Sequence, residues 1–187
     1  EIIFNIFDYS LVELATKNTF FLHPKLRLLL TTSGSTGSPK LVKLTYKNIF
    51  SNAKAIAQYL NINNNSKPIT TLPLHYSFGL SIINSHIIKG STILLTNYSI
   101  LKKDFWSFLK KYRATSFSGV PYTFTILKKI NFFSKSLPDL KIITQAGGKL
   151  NEDLHLQFAE YCNKWGKSFI VMYGQTEASP RMSYLPN

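Results

Sequence analysis

A run of threonine, serine and glycine that ends in a lysine is the feature of this sequence with the clearest chemical meaning. Residues 32–40 read TSGSTGSPK. Glycines let backbone N–H groups approach an anion closely, hydroxyls add further donors, and Lys40 adds a positive charge. A flexible linker has a similar composition, but this run connects an apolar segment with an amphipathic one over a short distance. The run therefore indicates a phosphate-binding loop.

This loop differs from the common phosphate loop of NTPases. That loop has glycine immediately before its lysine and serine or threonine immediately after it. Here Pro39 precedes Lys40 and Leu41 follows it. Because proline cannot donate an N–H group, the loop must hold phosphate by a different geometry.

A second polar segment, YGQTE over residues 173–177, follows an apolar run. Tyr173 offers an aromatic face for a base, Gly174 permits close backbone approach, and Thr176 offers a hydroxyl to a phosphate oxygen. Glu177 supplies the hard oxygen that Mg²⁺ prefers. An ordinary polar turn explains this segment equally well when it is considered alone. Together with the loop, it indicates a nucleotide site.

The elements that must position these segments alternate between short β-rich runs and longer amphipathic runs. Thr45 is a predicted cap for the first helix, whose apolar residues recur at helical spacing. Residues 1–25 show no clear caps and stay unassigned. Strands are predicted over residues 26–31 (buried), 69–72, 115–117, 141–144 and 168–172, and helices over residues 46–60, 77–88, 104–112, 121–130 and 152–165.

This alternation predicts an α/β fold with a mostly parallel sheet flanked by helices. Ligands of such sheets bind outside the carboxyl ends of the strands. The loop, a QAGG turn over residues 145–148 and the YGQTE segment each follow a predicted strand directly. We therefore expect these three segments to meet at one edge of the sheet.

The loop resembles the phosphate-loop signature of the adenylate-forming superfamily, and as an ordered run of residues the match is highly specific. That superfamily includes acyl-CoA synthetases, the adenylation domains of peptide synthetases, and luciferases. The YGQTE segment resembles its second hallmark. LPLHYSFG over residues 72–79 and GVP over residues 119–121 resemble segments beside its acyl pocket, and the QAGG turn resembles a segment that flanks adenine.

The resemblance implies a role for each matching residue. Lys40, Thr176 and Glu177 would be catalytic, and Glu177 would hold the metal. His75 and Gly119 would lie at the substrate pocket, although a structural histidine at a strand end is an equally good interpretation of His75. The implied nucleotide-binding residues are Thr32, Ser33, Gly34, Ser35, Thr36, Gly37, Lys40, Gly147, Gly148, Tyr173, Gly174, Gln175 and Thr176.

The resemblance also implies a reaction, an AMP-forming ligation of an acid to a thiol. A small carboxylic acid would be activated by ATP and Mg²⁺ to an acyl-adenylate, and CoA or a phosphopantetheine carrier would accept the acyl group. We expect residues 1–187 to be a fragment of the large N-terminal domain, with residues 26–177 as its nucleotide-binding core. The family's ribose-binding Asp, a nearby Arg and the C-terminal domain with its catalytic Lys would lie beyond Asn187, so the fragment alone is expected to be inactive.

Composition limits the alternatives. The net charge of +13 admits a nucleic-acid-binding domain, but the lysines are dispersed without a block of like charge. A nucleotide-binding module without catalysis is the other alternative. No apolar run is long enough to span a bilayer, and one cysteine, Cys162, allows no internal disulfide. These features favour a cytoplasmic protein without a nucleic-acid partner.

Overall fold

The computed structural model describes residues 21–32 and 40–185 in full, together with the backbone of two strands near the start of the chain. Those strands, β1 (Ile2–Ile6) and β2 (Tyr9–Val12), pair in an antiparallel hairpin. Residues 1–25 were left unassigned from the sequence, so this hairpin was not predicted.

A five-stranded sheet forms the centre of the described structure. Its strand order is β5-β6-β7-β8-β9; the first four strands are parallel, and β9 runs antiparallel to β8. Parallel neighbours need long crossover connections, which helices supply here. The mostly parallel α/β fold is thus confirmed. The strands are β5 (Pro68–Ile69), β6 (Ser116–Gly119), β7 (Ile142–Gln145), β8 (Ser168–Tyr173) and β9 (Ser183–Leu185).

Helices cover both faces of this sheet. The buried residues of α1 and α2 pack with one set of strand residues, and those of α3, α4 and α5 pack with the other set. Neighbouring residues of β8 show the division, because Phe169 belongs to the second cluster and Ile170 to the first. The helices are α1 (Tyr46–Tyr59), α2 (Ser77–Ile87), α3 (Lys103–Lys111), α4 (Pro121–Lys129) and α5 (Glu152–Lys164).

Helix α1 begins where its cap was predicted. The Thr45 hydroxyl accepts a hydrogen bond from the Asn48 N–H at 3.2 Å, and the Asn48 side-chain oxygen accepts one from the Thr45 N–H at 2.9 Å. This reciprocal pair satisfies two N–H groups at the helix start. It fixes the point at which the chain turns from the phosphate-loop hairpin into the helical layer.

The strand before the loop differs from its prediction. β3 (Leu26–Thr31) pairs antiparallel with β4 (Leu41–Thr45) in a separate two-stranded sheet, and of its residues only Leu30 is buried. The prediction of a buried strand was therefore wrong. Because parallel pairing needs a crossover of a dozen or more residues, the short link between β3 and β4 permits only a hairpin.

Candidate active site

A cavity of about 550 Å³ lies at the carboxyl ends of β7 and β8. Segments that are far apart in the sequence line it: both ends of the phosphate loop, the start of α2, the turn after β7 and the segment after β8. The expected meeting of three segments therefore occurs, although the loop comes from the β3–β4 hairpin. The lining residues are Thr32, Lys40, Tyr76, Ser77, Phe78, Ala146, Gly147, Gly174, Gln175, Thr176, Glu177, Pro180 and Arg181.

The two ends of the phosphate loop lie at the cavity wall. The Thr32 N–H donates a hydrogen bond of 3.0 Å to the Lys40 carbonyl, which closes the loop at its base. Residues 33–39 lie outside the described residues. The predicted contacts of the loop interior fall on that stretch, and they concern Ser33, Gly34, Ser35, Thr36 and Gly37.

The segment after β8 brings a hydroxyl and a carboxylate to the cavity. The Thr176 hydroxyl oxygen lies 3.0 Å from that of Ser77, the first residue of α2, and the two form a hydrogen bond. Glu177 is exposed and has no ion-pair partner among the described residues. Its carboxylate is thus available to a ligand in the cavity.

Gly174 is required by close packing of this segment. A Cβ atom added there would overlap the backbone nitrogen of Arg181 and lie 3.0 Å from the Arg181 Cα. The segment therefore folds back on itself after Glu177, and this fold-back places Arg181 at the cavity.

We expect Gly174→Ala to destabilise the protein by about 1–3 kcal/mol, because backbone must move to admit the methyl group. The measurement is the free energy of unfolding in urea. The exposed neighbour Gln175 provides a control. Its change to alanine should shift the unfolding free energy by less than about 0.5 kcal/mol. Equal stability of Gly174→Ala and wild type would contradict this packing.

The turn after β7 also approaches the cavity closely. Gly147 has φ +82°, and a Cβ there would lie 2.6 Å from the Tyr76 hydroxyl oxygen. The Gln145 side-chain amide donates a 2.9 Å hydrogen bond to the Gly148 carbonyl, which holds the turn. Both the backbone conformation and the limited space at position 147 therefore favour glycine.

Of the predicted site residues that the structure describes, four do not line this cavity. Tyr173 is 62% exposed, and His75 is exposed at the residue before Tyr76. Gly148 lines a neighbouring depression with Lys149 and Leu150. Gly119 is buried at the end of β6, where its carbonyl accepts a hydrogen bond from the Ala146 N–H at 3.3 Å. Their roles in binding stay predictions.

Two residues of the cavity, Ser77 and Arg181, were not predicted from the sequence. Ser77 positions the Thr176 hydroxyl, and its place at the start of a predicted helix beside a matching segment was the available signal. Arg181 is 4% exposed, although its local sequence shows no apolar periodicity that would indicate burial. The burial of Arg181 lowers its pKa to about 10.

No helix among residues 21–32 and 40–185 has the length and apolar character needed to cross a membrane. The same part of the chain contains no group of three or more His, Cys, Asp or Glu side chains arranged to hold a metal. A metal in the cavity would therefore rely on Glu177 together with oxygens of a ligand.

With this geometry in hand, comparison with known proteins defines the class of protein. A family model described as "AMP-binding enzyme" matches residues 22–187. The chain belongs to this family, which lies within the adenylate-forming superfamily.

Particular relatives agree with this assignment. Luciferin 4-monooxygenase of Nipponoluciola cruciata is 30% identical over 164 residues, covering 85% of this chain and 29% of the relative. 2-Succinylbenzoate–CoA ligase of Staphylococcus epidermidis is 32% identical over 162 residues, covering 82% of this chain and 32% of the relative. The solved structure of O-succinylbenzoate coenzyme A synthetase of Bacillus subtilis, in complex with ATP and magnesium ion, has a TM-score of 0.70 and 28% identity. The match covers 84% of this chain and 32% of that protein. The chain thus spans about a third or less of the length of these proteins.

Proposed function

We propose that the protein to which this chain belongs activates a carboxylic acid with ATP, forming an acyl-adenylate and pyrophosphate, and then transfers the acyl group to a thiol. The observation that carries the proposal is the convergence of Lys40, Thr176 and Glu177 on one cavity from distant parts of the chain. A cation can neutralise phosphate charge, a hydroxyl can donate to a phosphate oxygen, and a carboxylate can hold the metal ion that accompanies a triphosphate.

In the proposed first step, a carboxylate oxygen of the acid attacks the α-phosphorus of ATP. The bond between that phosphorus and the oxygen bridging to the β-phosphate breaks, and pyrophosphate leaves with the bonding electron pair. Lys40 would neutralise charge on the β- and γ-phosphates, and the Thr176 hydroxyl would donate to an α-phosphate oxygen. The hydrogen bond from Ser77 would keep that hydroxyl in place.

The residues present fit a magnesium ion that arrives with ATP. Mg²⁺ is commonly held by one or two carboxylates together with substrate phosphates and waters. Glu177 offers at the cavity a carboxylate that has no ion-pair partner among the described residues. When bound, the ion would offset the negative charge of the phosphates. Glu177 would hold the ion on the side of the cavity where the YGQTE segment lies.

The thiol in the second step would be CoA or a phosphopantetheine carrier; two of the relatives above are named for ligation to CoA, which supports the first. The thiolate sulfur would attack the acyl carbon, and AMP would leave. A cytoplasmic location is part of the proposal; the single cysteine of the chain, Cys162, allows no internal disulfide, which is compatible with a reducing compartment. The division into a nucleotide-binding core over residues 26–177 within a larger N-terminal domain stays a prediction, as does the inactivity of the fragment.

The test is ATP–pyrophosphate exchange by the full-length protein across a panel of carboxylic acids. The proposal requires exchange that depends on both Mg²⁺ and at least one acid. Tight ATP binding without exchange for any acid would instead favour a nucleotide-binding module without catalysis.

A further inference from the structure

The side chain of Arg181 is a buried cation beside the proposed reaction site. Its guanidinium donates a 3.2 Å hydrogen bond to the Ser85 hydroxyl and lies 5.5 Å from the ring centroid of Phe78. Its Nε is buried and has no hydrogen-bond partner among the described residues. A guanidinium has five N–H donors in a planar fork, so the contacts with Ser85 and with the Tyr59 hydroxyl leave donors unused, Nε among them.

No negative charge in the described structure compensates this cation. Among the described residues, the one ion pair joins Arg113 to Asp139 and lies at the surface. Burial lowers the pKa of the neighbouring His86 to about 4, so that ring is neutral near pH 7. The Tyr59 hydroxyl donates to the Met172 sulfur at 3.0 Å, and its oxygen also lies against the Arg181 guanidinium. Burial raises the pKa of Tyr59, so this hydroxyl brings no negative charge. A buried charge without a partner is costly.

The backbone around Arg181 is also held in unfavourable conformations. Ser179 and Arg181 have φ of +65° and +62°, in the left-handed region that residues other than glycine seldom adopt. The Asn52 side-chain amide donates a 2.8 Å hydrogen bond to the Pro180 carbonyl and ties this bend to α1. Several elements thus cooperate to hold an uncompensated cation at this place.

Arg181 lines the cavity that also contains Ser77, Thr176 and Glu177. An acid whose reacting carboxylate lies at Thr176 would therefore share one cavity with the Arg181 side chain. Phe78, which is buried and lies against the Arg181 guanidinium, also lines the cavity. A planar guanidinium matches a carboxylate in shape and charge.

We propose that the acid activated by this protein carries a second carboxylate, and that Arg181 binds it. The inference rests on the proposed function and adds the substrate class. The second carboxylate would supply the negative charge that the site lacks and would accept a hydrogen bond from Nε. An acid with an uncharged tail would leave the cation unpaired, so the site would discriminate against it.

The experiment is pyrophosphate exchange by the full-length protein with straight-chain dicarboxylic acids of increasing length and with monocarboxylic acids of matched length. We expect the best dicarboxylate to exceed its monocarboxylate counterpart in kcat/KM by about tenfold to a hundredfold, the range of a hydrogen bond to a charged group. In Arg181→Met this preference should disappear because the KM for the dicarboxylate rises. The KM for ATP should stay within about twofold of wild type.

Two further variants serve as controls. Arg113→Met removes a surface arginine with a 73% exposed side chain, and the preference should remain. Arg181→Lys keeps the cation but loses the planar fork, so an intermediate preference is expected. Thermal unfolding of each variant reports on folding, and Arg181→Met should be as stable as wild type or more so, because an unpaired buried charge is removed.

The outcomes separate the two proposals. If wild type exchanges with monocarboxylates as well as with dicarboxylates, the substrate class is wrong and the proposed activity stands; this result does not depend on any variant folding. A raised KM for ATP in Arg181→Met, with an unchanged acid preference, would place Arg181 at the nucleotide and also overturn the inference. If no acid supports exchange, the proposed function itself fails.

Discussion

Glu177→Gln is expected to lower the rate of adenylation by about a hundredfold or more, a loss comparable to removing one preorganised electrostatic group. The substitution preserves the size of the side chain but removes the charge that would hold the metal. Because Glu177 is exposed and has no ion-pair partner in the described part of the chain, its replacement should leave stability almost unchanged. The defect should therefore be chemical.

The measurement is the Mg²⁺ dependence of pyrophosphate exchange in the full-length variant. We expect the Mg²⁺ concentration for half-maximal rate to rise, along with the loss in maximal rate. Glu160→Gln is the matched control, since Glu160 is an exposed carboxylate on α5 and does not line the cavity. A Glu177→Gln enzyme with the Mg²⁺ response of wild type would remove Glu177 from the proposed metal site.

Lys40→Ala should reduce kcat/KM for ATP by at least about tenfold, because a hydrogen bond to a charged group contributes about 1.5–3 kcal/mol. Lys40 lies at the base of the phosphate loop and lines the cavity, so its ammonium would contact the terminal phosphates. The kinetic constants are measured at a saturating concentration of the acid, so that a change in kcat/KM reports on the use of ATP alone.

Lys43 offers a close comparison for this variant. It is exposed on β4, three residues further along the chain, and does not line the cavity. Lys43→Ala should retain kcat/KM for ATP within about twofold of wild type, as expected for a solvated surface lysine. If Lys40→Ala behaves like Lys43→Ala, Lys40 is a surface lysine too. A defect limited to the acid would instead move Lys40 to the acyl pocket.

Much of the fold could be predicted because its signals are local. The cap at Thr45 and the apolar spacing of α1 depend on residues within one helix. The strands β6, β7 and β8 and the helices between them were also found at nearly their observed positions. Since parallel strands end at one edge, the turn at Gly147 and the segment at Thr176 could be expected to lie together.

Features that depend on distant contacts could not be predicted in this way. The sequence of β3 is apolar enough for a buried strand. However, β3 pairs with β4 in a separate hairpin, which leaves most of its residues partly or fully exposed. Arg181 is flanked by Pro180 and Met182, which indicate nothing about burial; α1 and α2 bury it through Tyr59, Phe78 and Ser85. The burial of Arg181 at the cavity could therefore not be predicted from the sequence.

The central claim is attack of a carboxylate on the α-phosphorus of ATP, and oxygen transfer tests it most directly. The full-length protein is given ATP, Mg²⁺, the thiol and an acid that supports exchange, with both carboxylate oxygens labelled as ¹⁸O. In the proposed reaction the attacking oxygen stays on phosphorus when the thiol displaces AMP. Mass spectrometry should then find one ¹⁸O atom in each AMP and none in pyrophosphate. Unlabelled AMP, or label in released phosphate with ADP as the other product, would contradict the proposed reaction.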